Sequence, residues 1–162
     1  IMTNSENYSK KFNDTINENI DNIAMCYYEP GCGISEGAAA YTSWYDNFSN
    51  VVVKLDQVEL TYYYMPDSYT HELGHVYDNA LGAFYNTHEW QNVYNQINTN
   101  DSDHSLLRDY AHSAPVECFA ECVAEYFASG ACSNYNSNDL KAVDIDIDGY
   151  NNLYDYMTSI LT

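Results

Sequence analysis

The chain has 162 residues, about one domain's length, and its 46% hydrophobic content is enough to build a core. Its 24 acidic residues against 5 basic ones leave a formal net charge of −19, which argues against nucleic acid or an anionic membrane surface as partner. The 18 Tyr, 5 Phe and 2 Trp exclude an acidic disordered chain, and no run approaches the ~18 apolar residues that a membrane span needs.

The chain starts Ile1-Met2-Thr3-Asn4, without the basic and apolar regions of a signal peptide; an export signal has been removed, or this is a piece of a longer protein. From Asn4 to Tyr27 the residues Tyr8, Phe12, Ile16, Ile20, Ile23 and Tyr27 recur at steps of three and four, which predicts one long amphipathic helix. Glu29-Pro30-Gly31-Cys32-Gly33 breaks it. Two β-prone runs follow, Ala38 to Trp44 and Val51 to Leu55, separated by a turn-rich segment, and these predict a hairpin. A third run, Val58 to Met65, predicts another strand ending at Pro66.

Asp67 or Ser68 can cap a helix from about Tyr69 to Leu81, with Gly82 at its end. Asn86 with Glu89 predicts the start of a second helix bearing Trp90, Val93, Tyr94 and Ile97 on one face, followed by a polar stretch from Asn98 to His104. Ser113 caps a third from Ala114 to Ser129, with Pro115 in its first turn and Gly130 beyond it. Leu153, Met157, Ile160 and Leu161 mark a last helix. Strands early and helices late predict a single α+β domain with a small, mainly antiparallel sheet.

His71-Glu72-Leu73-Gly74-His75 is an H-E-x-x-H sequence within the first of the later helices. Residues four apart share a helix face, so the two imidazoles can converge on one Zn²⁺ while Glu72 projects beside them as a general base. A catalytic zinc needs a third protein donor and an open position. Glu117, Glu121 and Glu125 recur every fourth residue on a helix otherwise rich in apolar residues, where like charges repel unless a cation or donor neutralises them. Alone, that stripe also reads as an exposed acidic face.

With these residues in view, the chain resembles the zinc metallopeptidases related to the anthrax lethal factor catalytic domain, which include the secreted Pro-Pro endopeptidases. His71-Glu72-Leu73-Gly74-His75-Val76-Tyr77-Asp78 is similar to that family's H-E-x-x-H-x-x-D, and Glu117-Cys118-Phe119-Ala120-Glu121 to its E-x-F-A-E. Tyr110 stands seven residues before Glu117, where the family has an active-site tyrosine. The resemblance implies a zincin-like metallopeptidase domain across residues 1–162, with His71, His75 and Glu117 binding zinc. It implies Glu72 as general base, Tyr110 facing the reacting carbonyl and Glu121 orienting a ligand histidine. It gives Asp78 a structural or ligand-supporting role, against the alternative of a solvated helix residue. It also implies an endopeptidase acting on protein or peptide substrate, bound as an extended strand along a sheet edge for which Ala38 to Trp44 is the best candidate, and the chain is expected to act as a monomer. Secretion, or delivery as a toxin-like effector, goes with that reading.

Asp144, Asp146, Asp148, Tyr150, Asn152 and Asp155 fall at calcium-loop positions with Gly149 at the sixth, so the segment reads either as a Ca²⁺ loop or as an acidic turn or short edge strand. His88, His104 and His112 lack ligand spacing and are expected in surface or capping roles. Five cysteines leave at least one unpaired: Cys26 and Cys32 can close a short loop, whereas Cys118 and Cys122 are badly placed for a mutual bridge. The rival functional readings are an inactive peptide-binding or adhesion module on the same fold, against which an intact Glu72 argues, and a structural zinc protein using Cys118, Cys122 and Cys132, whose spacing fits no closed site well.

Overall fold

The computed structural model describes residues 8–27, 40–45, 48–55, 65–128 and 135–162. Helix α1 (Lys10–Asn19) is capped by Ser9, whose hydroxyl accepts the Phe12 N–H, and it buries Phe12 and Ile16. It stops well short of the expected Tyr27, because Ile20 turns to extended backbone and Ile20–Tyr27 forms strand β1. Ile20, Ile23 and Tyr27 keep helical spacing by coincidence; parallel pairing with strand β3 (Phe48–Leu55), from Ile20 opposite Ser49 to Tyr27 opposite Leu55, decides their conformation.

The expected hairpin is present, with β2 (Ala40–Tyr45) antiparallel to β3 from Ala40 opposite Val53 to Tyr45 opposite Phe48. The sheet order is β1-β3-β2, so the expectation of a mainly antiparallel sheet gives way to a mixed one, with one parallel and one antiparallel pairing. Strands β1 and β3 are not consecutive in the chain, so no tight turn has to join them and parallel pairing is open to them. Among the described residues β2 is left as an edge. Most of the third expected strand, Val58 to Met65, lies outside the described residues, and Met65 itself opens helix α2 (Met65–Ala80).

Helix α2 starts a turn earlier than the caps predicted, with Pro66 in its first turn, where a missing N–H costs nothing. Gly82 at φ +82° then ends the segment, and a 3₁₀ turn at Phe84–Asn86 follows. Thr87, and not Asn86, caps α3 (His88–Asn100), accepting the Trp90 N–H at 3.2 Å. A second 3₁₀ turn, Asp109–His112, precedes α4 (Pro115–Ala128). Beyond it come α5 (Ser137–Ala142), the two-stranded β4 (Asp144–Ile147) and β5 (Tyr150–Asn152), and α6 (Leu153–Leu161).

The described residues are mostly helical around one principal core, in which Trp90 meets Phe119 edge-on at 5.0 Å and Phe12 stacks on Tyr77 at 4.9 Å. Helix α2 lies at its centre, tied to the residues leading into α1 by Tyr8 and Thr70 (2.9 Å) and to α6 by Tyr77 donating to the Ile160 carbonyl (2.9 Å). Among the described residues no helix is long and apolar enough to cross a membrane.

Candidate metal centre

Helices α2 and α4 pack more extensively than any other pair of described helices, and a glycine stands where they meet. A Cβ on Gly74 would stand 2.7 Å from the Ala120 Cα and 3.2 Å from the Ala120 carbonyl oxygen. A helix-interior glycine is unfavourable by ~1 kcal/mol relative to alanine; here it lets two backbones approach. His71 and His75 lie on either side of Gly74 on α2, and Glu117 and Glu121 on either side of Ala120 on α4.

The close approach brings three donor atoms together. His71 Nε2 and His75 Nε2 are 3.1 Å apart, and Glu117 Oε2 lies 3.1 Å from the first and 3.2 Å from the second. Donors around a small tetrahedral cation at about 2.0–2.1 Å stand about 3.3–3.4 Å from one another, so this near-equilateral triangle is closed to within a few tenths of an ångström of that arrangement. Two imidazole nitrogens and one carboxylate oxygen suit Zn²⁺ or a similar transition metal better than the all-oxygen shell of Ca²⁺ or Mg²⁺. Among the described residues His71, His75 and Glu117 are the group of three that can hold a metal ion.

Electrostatics also call for positive charge at this point. Burial alone would depress the His71 imidazole, but the Glu117 and Glu121 carboxylates beside it push it up to about 9. Burial works to raise Glu117, yet the two imidazoles hold it well below the usual carboxylate range. Glu121 stands with Oε1 2.9 Å from His71 Nδ1, a contact off the line of a full hydrogen bond, in the position expected for a carboxylate that orients a ligand histidine.

A cleft of 170 Å³ opens over the triangle, lined by Ala40 and Thr42 of edge strand β2, by Glu72 of α2, and by Tyr110 and Val116. Successive residues of a strand face opposite ways, so Ala40 and Thr42 share the face turned to the cleft. Thr42 donates its hydroxyl to the Glu72 carboxylate, and burial holds Glu72 above its ordinary 4.5, the direction a base working near neutrality needs.

Tyr110 sits on the second 3₁₀ turn at the cleft mouth, 50% exposed, its ring centroid 5.6 Å from that of His71. Burial of its hydroxyl end and the adjacent Glu117 push it up to about 12, so it stays a proton donor. The turn is pinned by the buried Asp101, which accepts the Leu106 and Leu107 N–H groups at 3.0 and 2.8 Å and pairs with His112 Nε2 at 3.2 Å. His112 is therefore a buried structural contact, not the surface or capping residue expected. His104 stacks on it at 3.9 Å and pairs with Asp109. His88 is the exposed first residue of α3.

The acidic stripe of α4 is turned inward, with Glu121 4% and Glu125 2% exposed, which removes the reading of a solvated face. Asp78 is buried too, and its Oδ1 accepts the Tyr85 N–H at 2.7 Å, tying the end of α2 to the following 3₁₀ turn. That is a structural role, and the solvated alternative fails. The Asp144–Asp155 segment is a hairpin running into a helix: Gly149 takes φ +92° in the turn, and Asn152 caps α6 by accepting the Asp155 N–H at 2.9 Å. Asp144 and Asp146 lie on β4, Asp148 in the turn, Tyr150 and Asn152 on β5 and Asp155 in the first turn of α6, an arrangement that has the form of the acidic turn with a short strand. Cys118 and Cys122 are buried free thiols; Cys32 and Cys132 lie outside the described residues.

Three residues around the centre carry no usable sequence signal. Thr42 is one polar residue on a strand, Tyr135 one of 18 tyrosines, and Arg108, although the sole arginine, has no motif around it. Comparison of the chain with protein-family models, with curated proteins and with solved structures found no match.

Proposed function

We propose that this chain is a zinc-dependent endopeptidase with a zincin-like fold, similar in its site to the lethal-factor-related metallopeptidases. The observation that carries the reading is the convergence of His71 Nε2, His75 Nε2 and Glu117 Oε2 to 3.1–3.2 Å beneath a cleft bordered by a strand edge and by Glu72. His71, His75 and Glu117 hold the ion. When bound, the ion supplies a Lewis acid that activates water near neutral pH and polarises a carbonyl.

The chain's own groups do the rest. An extended peptide pairs with β2, an edge among the described residues, which lays its backbone across the cleft and selects flexible segments over folded ones. Glu72, set by the Thr42 hydroxyl, takes a proton from the attacking water and returns it to the leaving amine. Tyr110 donates its O–H to the oxyanion that develops on the scissile carbonyl.

The test is direct. Purified protein contains close to one zinc per chain and cleaves an extended peptide library. Glu72→Gln keeps the metal and loses turnover by about 10²-fold or more. Cleavage that survives this substitution, or a wild-type chain that takes up no metal, refutes the reading.

A further inference from the structure

A carboxylate buried as deeply as Glu121 is tolerable only when donors meet its oxygens, and here they come in series. Arg108 Nη1 donates to the Tyr135 hydroxyl oxygen at 2.6 Å, and the Tyr135 O–H in turn donates to Glu121 Oε2 at 3.1 Å. Glu121 Oε1 stands 2.9 Å from His71 Nδ1. Arg108 also lies 3.9 Å from Glu121 Oε2, with its guanidinium carbon 5.1 Å from the centre of the Tyr135 ring. The direction of the series is fixed by chemistry: a guanidinium only donates, and a phenol can accept from it and donate onward. With an ion held at Nε2, the His71 proton would sit on Nδ1, the nitrogen that faces Glu121 Oε1.

Arg108 is the sole arginine among 5 basic residues in a chain of 24 acids, and it stands at the carboxylate behind the ligand histidine. We propose that Arg108 and Tyr135 are positioning residues of the metal centre: acting through Glu121, they fix the ring orientation and tautomer of His71 and so set how tightly the three donors hold a divalent ion. The proposal rests on the metal reading above. Neither residue belongs to a motif helix. Tyr135 immediately precedes Asn136, the cap of α5, and Arg108 leads into the 3₁₀ turn that carries Tyr110.

The experiment uses the full chain and Zn²⁺ alone, titrated in competition with a chromophoric chelator, together with the visible absorption of the Co²⁺ form. Tyr135→Phe keeps the ring and removes the hydroxyl; Arg108→Gln removes the charge at a half-exposed position. Both bind Zn²⁺ about 10- to 100-fold more weakly, as does Glu121→Gln, and their Co²⁺ bands shift, while metal-free melting stays near wild type. Arg108→Lys recovers part of the affinity. Wild-type binding with an unchanged affinity and Co²⁺ spectrum in Tyr135→Phe overturns the proposal and leaves the metal reading standing. Affinity that falls only in step with the melting of the metal-free protein also overturns it, assigning both residues to the scaffold. A wild-type chain that does not bind Zn²⁺ brings down the metal reading and this proposal with it.

Discussion

Replacing Gly74 with alanine tests the link between helix packing and the donor triangle. In an isolated helix the change stabilises by ~1 kcal/mol. Here the new Cβ meets the Ala120 Cα at 2.7 Å, about 0.8 Å or more inside the ~3.5–4.0 Å of ordinary carbon contact, and its neighbour is backbone that cannot rotate away. Overpacking of this kind costs ~1–3 kcal/mol, so the two terms largely offset and net destabilisation stays within ~2 kcal/mol, a few degrees of melting temperature for a chain of this length.

The donor triangle has no such compensation. Relief of the contact moves α4 from α2 by most of an ångström, and Glu117 moves with α4 while His71 and His75 stay on α2. A triangle with sides of 3.1–3.2 Å then opens beyond what a small tetrahedral ion bridges. Gly74→Ala therefore folds, melts only a few degrees lower, and loses zinc affinity steeply in the chelator competition. A variant that binds zinc as tightly as wild type would show that Gly74 does not set the approach of the two helices, and the packing argument would fail.

Two further outcomes follow from individual groups. Tyr110→Phe lowers kcat by about 10²- to 10³-fold with KM and metal content unchanged, measured on any peptide the wild type cleaves; an unaltered kcat makes Tyr110 scaffold. Glu125, raised by burial from 4.5 to about 8, keeps its proton in the folded chain over a range where the unfolded chain has lost it. Its contribution to stability is full below about pH 4.5 and is lost as pH rises to about 8, at up to ~1.4 kcal/mol per pH unit. Glu125→Gln retains an oxygen for the Asn136 N–H and flattens that slope in denaturant titrations between pH 5 and 8; an equal slope in both proteins refutes the assignment.

Legibility differed sharply between elements. The hairpin, the helix of His71 and His75 and the helix of Glu117 were readable because each rests on local rules: alternation, capping and the meeting of residues four apart on a helix. Strand β1 was not, since Ile20, Ile23 and Tyr27 satisfy a helical period and only pairing with β3 makes them extended. The carboxylates of α4 read equally well as a solvated stripe, and their burial follows from what α4 packs against.

The amino-acid order by itself determined that two imidazoles share one helix face with an acid between them, because 3.6 residues per turn leaves no other arrangement. Tertiary structure alone decided that a carboxylate 42 positions beyond His75 closes the triangle, and that Arg108 and Tyr135 stand behind it. Spacing along a chain fixes angles within one element. Distances between elements depend on how closely their surfaces fit, and here that fit turns on the missing Cβ of Gly74 against Ala120.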